Sequence, residues 1–249
     1  MSFGPIVEDR FLDGRLILRQ PRHGYRAATD PVLLAAATPA GPGDAVLDLG
    51  CGVGTASLCL AHRVRDLDLH GVEVQRDYAA LARANAEGNN LPLTVYDADI
   101  CAMPLDLRHR SFDAVILNPP WHEPEAMGSP NPGRDRANRL EMDLAIWMSA
   151  AMTRTRQGGW IVVIQRAESL PEILAALSTR AGDISVLPLA ARSDRPAKRV
   201  IVKARKSSRG PFRLAAPLVL HDGASHDRDG DDYSAAASAV LRDGAALDF

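Results

Sequence analysis

The chain has 249 residues, enough for one large α/β domain, and its 46 % hydrophobic and 24 % charged residues describe an ordinary globular chain with a sizeable core. No window approaches the ~18–20 apolar residues of a membrane helix, and a net charge of −2 speaks against a surface that is basic all over. The three cysteines, Cys51, Cys59 and Cys101, show neither metal-ligand spacing nor a disulfide framework, which fits a cytoplasmic protein with no bound metal.

From the N-terminus, no basic region followed by an apolar stretch indicates a secretory leader. Residues 31–37 (PVLLAAA) read as a short helix with Pro31 in its first turn. Short apolar runs bounded by turn residues then predict strands at 45–49, 69–74, 93–96, 112–117, 160–165, 184–189 and 200–204. Apolar stripes at i, i+3, i+4 predict helices at 55–64, 78–85, 140–152 and 170–177. Strands alternating with helices imply an α/β fold, a mostly parallel seven-stranded sheet with helices on both faces. Ligands of such sheets bind beyond the carboxyl ends of the strands. The expected organisation is an N-terminal segment (1–40), a main domain (41–210) and a C-terminal extension (211–249) packed on or trailing from it. The last is rich in Asp, Gly and Ala, and its composition predicts partial flexibility.

The strongest local signal is Val46-Leu47-Asp48-Leu49-Gly50-Cys51-Gly52-Val53-Gly54-Thr55, a strand entering a turn with three alternate glycines and then a helix. Glycine is required where φ is positive or where backbone must approach a ligand. The spacing is G-x-G-x-G rather than the G-x-G-x-x-G of dinucleotide enzymes. Asp48 beside the loop would repel a pyrophosphate but can face a cationic amino group. That favours S-adenosylmethionine over NAD; the bland alternative is a tight turn without a ligand. Cys51 within the loop is better explained by small size than by reactivity. Glu73, in Gly71-Val72-Glu73-Val74 at the end of the second strand, can accept hydrogen bonds from both ribose hydroxyls, though alone it would read as an exposed strand end. Past the third strand, Asp99 is the better acceptor for the adenine amino group and Ile100 can pack on the ring, while Asp97 reads as a turn residue.

The fourth strand leads into Asn118-Pro119-Pro120-Trp121. Two prolines fix the backbone and remove two N–H donors, leaving the Asn118 side-chain oxygen and the Pro119 carbonyl as acceptors. Two acceptors can hold both hydrogens of a planar exocyclic amine, and Trp121 offers a face on which a base can stack. No strong general base is needed, so catalysis would rest on positioning and charge stabilisation. His122-Glu123 has no second His at helical spacing, so a zinc site is not expected.

Charge is unevenly distributed. Arg192, Arg195, Lys198, Arg199, Lys203, Arg205, Lys206, Arg209 and Arg213 stand against a single acid in their stretch, and an Asp-rich tail masks them in the total. This run is the better candidate for RNA-backbone contact, because part of it should lie on a strand and its turn, though a charge run can be a solvated face; Arg134, Arg136 and Arg139 behind the reacting motif could equally be a solvated loop.

DLGCGVGT, GVEV, DADI and NPPW occur in the order and spacing of class I methyltransferases of the N-P-P-Y/F/W type, which include adenine-N6, guanine-N2 and protein-glutamine enzymes. The segment Gln20-Pro21-Arg22-His23-Gly24-Tyr25-Arg26-Ala27-Ala28-Thr29-Asp30-Pro31-Val32-Leu33-Leu34 resembles the opening of the bacterial tRNA(Val) (adenine-N6)-methyltransferase family, and Pro196 to Val202 is similar to that family's last strands. The resemblance spans roughly Phe11 to Arg205. It implies a Rossmann-like class I methyltransferase fold, S-adenosylmethionine as cofactor and tRNA as partner, with methylation at N6 of the adenosine next to the anticodon. It further implies that Tyr25, Arg26, Thr29 and Asp30 close over the cofactor, that Asp48, Gly50, Gly52, Gly54, Glu73 and Asp99 surround it with Cys51, Val74, Ile100 and Asn118, and that Asn118 to Trp121 receive the base. Lys198 and Arg199, with the three loop arginines, are the expected RNA contacts. Trp121 departs from the family's usual Tyr. The rivals are a protein-glutamine or rRNA guanine-N2 methyltransferase and, from another class, a cofactor- or RNA-binding module without transfer. The sequence sets no oligomeric state.

Overall fold

The computed structural model describes residues 4–120, 144–223 and 232–249. The described chain opens on an antiparallel hairpin, β1 (Ile6–Phe11) and β2 (Leu16–Pro21), over residues for which the apolar patterns predict no element. Its turn holds Leu12, Asp13 and Gly14 at positive φ, and in β2 Leu16, Leu18 and Gln20 are buried while Ile17 and Arg19 are not. An Asp-Gly turn before an alternating strand was the available signal. The hairpin is stitched to a later helix through Asn85 and Asn89, whose side-chain oxygens accept from the Arg19 and Ile17 N–H groups at 2.7 and 3.0 Å.

Helix α1 (Thr29–Ala37) is followed by β3 (Ala45–Leu49), α2 (Thr55–Arg63), β4 (Asp68–Glu73), α3 (Arg76–Gly88), β5 (Thr94–Asp97), the single turn α4 (Leu105–Arg108) and β6 (Phe112–Leu117). Beyond the segment not described come α5 (Leu144–Arg154), β7 (Thr155–Arg166), α6 (Leu170–Leu177), β8 (Ala181–Ala190), β9 (Arg199–Lys206), β10 (Arg213–Leu214), β11 (Leu218–Val219) and α7 (Ala235–Asp243). The seven strands expected from sequence form one unbroken path, β8-β9-β7-β6-β3-β4-β5, with β9 antiparallel to both neighbours. The sheet has nine strands rather than seven, because the two-residue β10 and β11 also pair with β8.

Alternation along the strands builds two cores, one on each face. Val46, Ala114, Ile116, Val162 and Ile164 pack with Leu33, Leu58 and Leu60 of α1 and α2. Leu47, Leu49, Val115, Leu117 and Val163 pack with Trp147, Met148 and Ile173 of α5 and α6. The first core also holds Leu16 and Leu18 of the hairpin and Val240 of α7, so residues from all three expected segments share it.

The described residues of the C-terminal stretch include a packed helix. The Ser234 hydroxyl caps α7 by accepting from the Ala237 N–H at 3.1 Å, and Gly244 closes the helix in the left-handed region. Ala237 and Val240 are buried, the Leu247 N–H donates to the Ala36 carbonyl at 2.8 Å, and the Lys203 ammonium sits 4.1 Å from the Phe249 ring centroid. Ala and Val at helical spacing supply an apolar stripe that the surrounding aspartates conceal. Among the described residues no helix is long and apolar enough to cross a membrane.

Candidate active site

The glycine turn leaves β3 at the carboxyl edge of the sheet. Its Gly50 and Cys51 N–H groups both donate to the Val72 carbonyl of β4, at 2.8 and 3.0 Å. Gly50, Gly52 and Gly54 all have positive φ, at 70°, 56° and 86°. Each is glycine for a different reason. A Cβ on Gly50 would stand 2.6 Å from the Trp147 ring, one on Gly54 would press on Leu93 at 3.1 Å, and one on Gly52 would face the Tyr25 ring at 3.7 Å. Of the three, Gly52 has the most room for a Cβ, whereas at Gly50 the space is already filled by indole. Cys51 packs against Gly71, where an added Cβ would meet its sulfur at 2.7 Å. Burial pushes the Cys51 thiol well up, so it stays protonated.

Asp48 is 3 % exposed and accepts from the Ser57 hydroxyl at 2.7 Å. Burial pushes its carboxyl up to about 7, against the Ser57 hydrogen bond and with a smaller contribution from the nearby Glu73 charge. Glu73 is also buried, at 7 % exposure. One of its oxygens accepts from the Gly52 N–H at 3.0 Å and the other from the Gln75 N–H at 2.8 Å. Val74 beside it is half-exposed. Asp99 is tied to its own turn, accepting from the Cys101 N–H at 2.8 Å, and Asp97 pairs with Arg76. Ile100 packs against the second core.

Tyr25 lies between β2 and α1. Its ring faces Gly52 and its hydroxyl accepts a hydrogen bond from the Asn118 side-chain amide at 3.4 Å, which places it across the gap from glycine turn to reacting motif. The Tyr78 hydroxyl anchors it by donating to the Tyr25 carbonyl at 3.1 Å. Desolvation in the cleft, then the charges of Asp30, Asp48 and Glu73, push the Tyr25 phenol up to about 12. Its neighbours in sequence have other partners. Arg26 is bound to Asp9 of β1 at 2.6 Å. Thr29 starts α1, and Asp30 in its first turn pairs with Arg199 at 3.2 Å. Arg199 thus joins the N-terminal segment to β9, and Lys198 before it is exposed, as is Arg195.

Asn118 and Pro119 follow β6 directly. The Pro119 carbonyl, expected from sequence to be open, accepts a hydrogen bond from the buried Gln165 side chain at 3.0 Å. Sequence reasoning missed Gln165, Ser57 and Trp147; a Gln ending an apolar strand is the only signal among them. Trp121, Arg134, Arg136 and Arg139 lie outside the described residues, as does the His122-Glu123 pair. Among the described residues no group of three or more His, Cys, Asp or Glu is placed to hold a metal ion.

The basic run divides between two edges. Arg192, Arg195 and Lys198 follow β8, which runs parallel to β6 and β7 on the sheet, and so share the carboxyl edge with Asn118. Arg192 is buried in an ion pair with Asp232 at 2.7 Å. Lys203 to Arg213 run to the opposite edge, where the Lys206 ammonium donates to the Met152 and Thr155 carbonyls at 2.7 Å.

A family model described as "Methyltransferase small domain" matches residues 28–185. A protein of Photorhabdus laumondii named tRNA1(Val) (adenine(37)-N6)-methyltransferase is 33 % identical over 132 residues, covering 52 % of this chain and 53 % of that relative, so the match spans about half of the relative's length. One of the same name from Dickeya chrysanthemi is 27 % identical over 232 residues, covering 89 % of this chain and 88 % of that one. Among solved structures, a predicted O-methyltransferase from Agrobacterium tumefaciens has a TM-score of 0.71 at 25 % identity, covering 88 % of this chain and 98 % of that one. A Thermus thermophilus 16S rRNA N2 G1207 methyltransferase, in complex with AdoMet and guanosine, has a TM-score of 0.56 at 18 % identity, covering 83 % of this chain and 51 % of that one, and shares the fold.

Proposed function

Because the chain belongs to the methyltransferase small domain family, we propose that it transfers the methyl group of S-adenosylmethionine to an exocyclic amine of a nucleic-acid base, namely N6 of the adenosine next to the anticodon of a tRNA. One observation carries the reading: Tyr25 joins Gly52 of the glycine turn to Asn118 of the reacting motif, so cofactor-type and acceptor-type features meet in one cleft. The names of the relatives from Photorhabdus and Dickeya support the choice of tRNA.

The residues present fit the cofactor. Glu73 is a buried carboxylate at the end of β4, beside the glycine turn, and its chemistry suits two ribose hydroxyls. Asp48 is a second carboxylate next to the turn, suited to a cationic amino group. Gly52 keeps the cleft wall free of a side chain. When bound, S-adenosylmethionine supplies a methyl group on a sulfonium whose sulfur departs as a neutral thioether. The chain's own work is on the acceptor. The Asn118 side-chain amide turns its nitrogen to Tyr25, which leaves its oxygen for one amine hydrogen, and the Pro119 carbonyl takes the other. Held this way, the nitrogen presents its lone pair to the methyl carbon, and the resulting ammonium loses its proton to water. A hydroxyl acceptor offers one hydrogen to two acceptors, so the pair suits an amine better than an alcohol.

Labelled-methyl transfer offered in parallel to tRNA, rRNA and a release-factor protein tests the proposal. Label is expected on tRNA. Label on the protein alone would replace this reading with the protein-glutamine one.

A further inference from the structure

We propose that Gln165 is a positioning residue for methyl transfer, holding the Pro119 carbonyl in the orientation that receives the substrate amine. The inference rests on the methyltransferase reading above. Strands β6 and β7 pair in parallel up to Leu117 and Val163. Two residues further on, the register sets Pro119 beside Gln165. Pro119 and Pro120 carry no N–H, so past Asn118 this segment has no backbone donor with which to continue the ladder. The peptide that bears the acceptor carbonyl would be held only from its strand side.

The Gln165 side chain takes over where the ladder stops. It is 5 % exposed, its Nε2 donates to the Pro119 carbonyl at 3.0 Å, and its Oε1 accepts from the Arg166 N–H at 2.8 Å. The second bond fixes the amide's orientation, because an N–H at that position requires Oε1 opposite it. Nε2 therefore faces Pro119. The Gln165 backbone is itself paired with Val200 of β9, so the anchor stands on a strand flanked on both sides. A carbonyl oxygen has two lone pairs; Gln165 occupies one, and the other remains for an amine hydrogen. Asn118 is oriented by Tyr25 from the N-terminal segment and Pro119 by Gln165 from β7, so each acceptor has its own support.

The test compares Gln165→Leu and Gln165→Glu with wild type. Steady-state kinetics are run on whichever of tRNA, rRNA or release factor the wild type methylates, with cofactor affinity by calorimetry and thermal melting alongside. Gln165→Leu keeps the shape and loses the donor. Its kcat is expected to fall about 10- to 100-fold, the scale of a displacement of about 1 Å, while KM and cofactor affinity change little. Gln165→Glu distinguishes positioning from packing. Ionised, it sets a carboxylate against the carbonyl; protonated, it restores an O–H donor. Its activity relative to wild type should therefore rise as pH falls. Unchanged kcat in Gln165→Leu would overturn the proposal, as would a loss that tracks melting temperature together with a Gln165→Glu profile parallel to wild type. Should wild type methylate none of the three acceptors, the functional reading fails separately. The Gln165 side-chain amide in 15N spectra of the free protein then still tests the anchor: slow hydrogen exchange supports it, and exchange as fast as a free glutamine overturns it.

Discussion

The Tyr25 hydroxyl accepts a hydrogen bond from the Asn118 side-chain amide at 3.4 Å, and this contact decides which end of that amide faces the cleft. With the nitrogen engaged, the oxygen is left to receive a substrate hydrogen. Tyr25→Phe keeps the ring beside Gly52 but releases the amide to rotate. A single neutral hydrogen bond contributes about 0.5–1.5 kcal/mol, so kcat should fall roughly 2- to 10-fold with cofactor affinity nearly unchanged. Asn118→Ala removes the acceptor altogether and should bind cofactor normally while transferring no methyl. Single-turnover assays with calorimetry check both; full activity in Asn118→Ala would remove the mechanism. Because the Tyr25 phenol is pushed up to about 12, none of these rates should show a tyrosine ionisation near neutral pH.

Asp48 links pH, stability and cofactor binding with opposite signs. Its carboxyl is raised from 3.8 to about 7 by burial, so the folded protein holds a proton that the unfolded chain gives up at lower pH. The folded state binds more protons between those two values, and stability falls as pH rises through that window. Asp48→Asn keeps an oxygen for the Ser57 hydroxyl and removes this slope. The ligand-free variant should be more stable than wild type by roughly 1–3 kcal/mol at about pH 8, measured by denaturant unfolding. Cofactor affinity should show the reverse: rising with pH through about 7 in wild type as the carboxylate forms, and weak and flat in the variant.

Gly50 is held by two independent constraints, which a double-mutant cycle can separate. Its φ is 70°, and an added Cβ would lie 2.6 Å from the Trp147 ring. Gly50→Ala should cost about 2–4 kcal/mol, combining left-handed strain with overpacking. In a Trp147→Leu background the clash term disappears and the strain term of about 1 kcal/mol remains. Additive costs in chemical denaturation would contradict the contact.

The division of the basic run between two edges predicts unequal roles in RNA binding. Lys198 is exposed beside the candidate site, whereas Arg209 is exposed past the other end of β9. Lys198→Ala should weaken tRNA binding and lower the slope of log affinity against log salt by about 1. Arg209→Ala should change neither. Equal effects in salt-dependent binding assays would place the RNA elsewhere.

Much of this architecture was legible in the sequence, because buried parallel strands are short apolar runs and the helices between them carry regular stripes. Five of the seven main strands and the glycine turn lie within one or two residues of where those patterns put them; β7 and β8 begin five and three residues earlier than their apolar runs. The Asp13-Gly14 hairpin escaped notice because its strands bury one face only. Helix α7 was hidden by the aspartates around it, although Ala237 and Val240 carry the packing. In the site, residue types gave Glu73 and Asn118 but not their partners. Gln165 meets Pro119 across 46 residues of chain, and Trp147 fills the space above Gly50 across nearly a hundred; no local pattern encodes either contact. Arg26 and Arg199 were expected at cofactor and RNA, and their guanidinium groups hold Asp9 and Asp30 of the N-terminal segment.

The most direct measurement is nucleoside mass spectrometry of tRNA incubated with the purified protein and S-adenosylmethionine carrying a deuterated methyl group. Labelled N6-methyladenosine is expected, mapped to the nucleotide beside the anticodon and absent with Asn118→Ala. Labelled N2-methylguanosine in its place, or label equally abundant with Asn118→Ala, would contradict the proposed function.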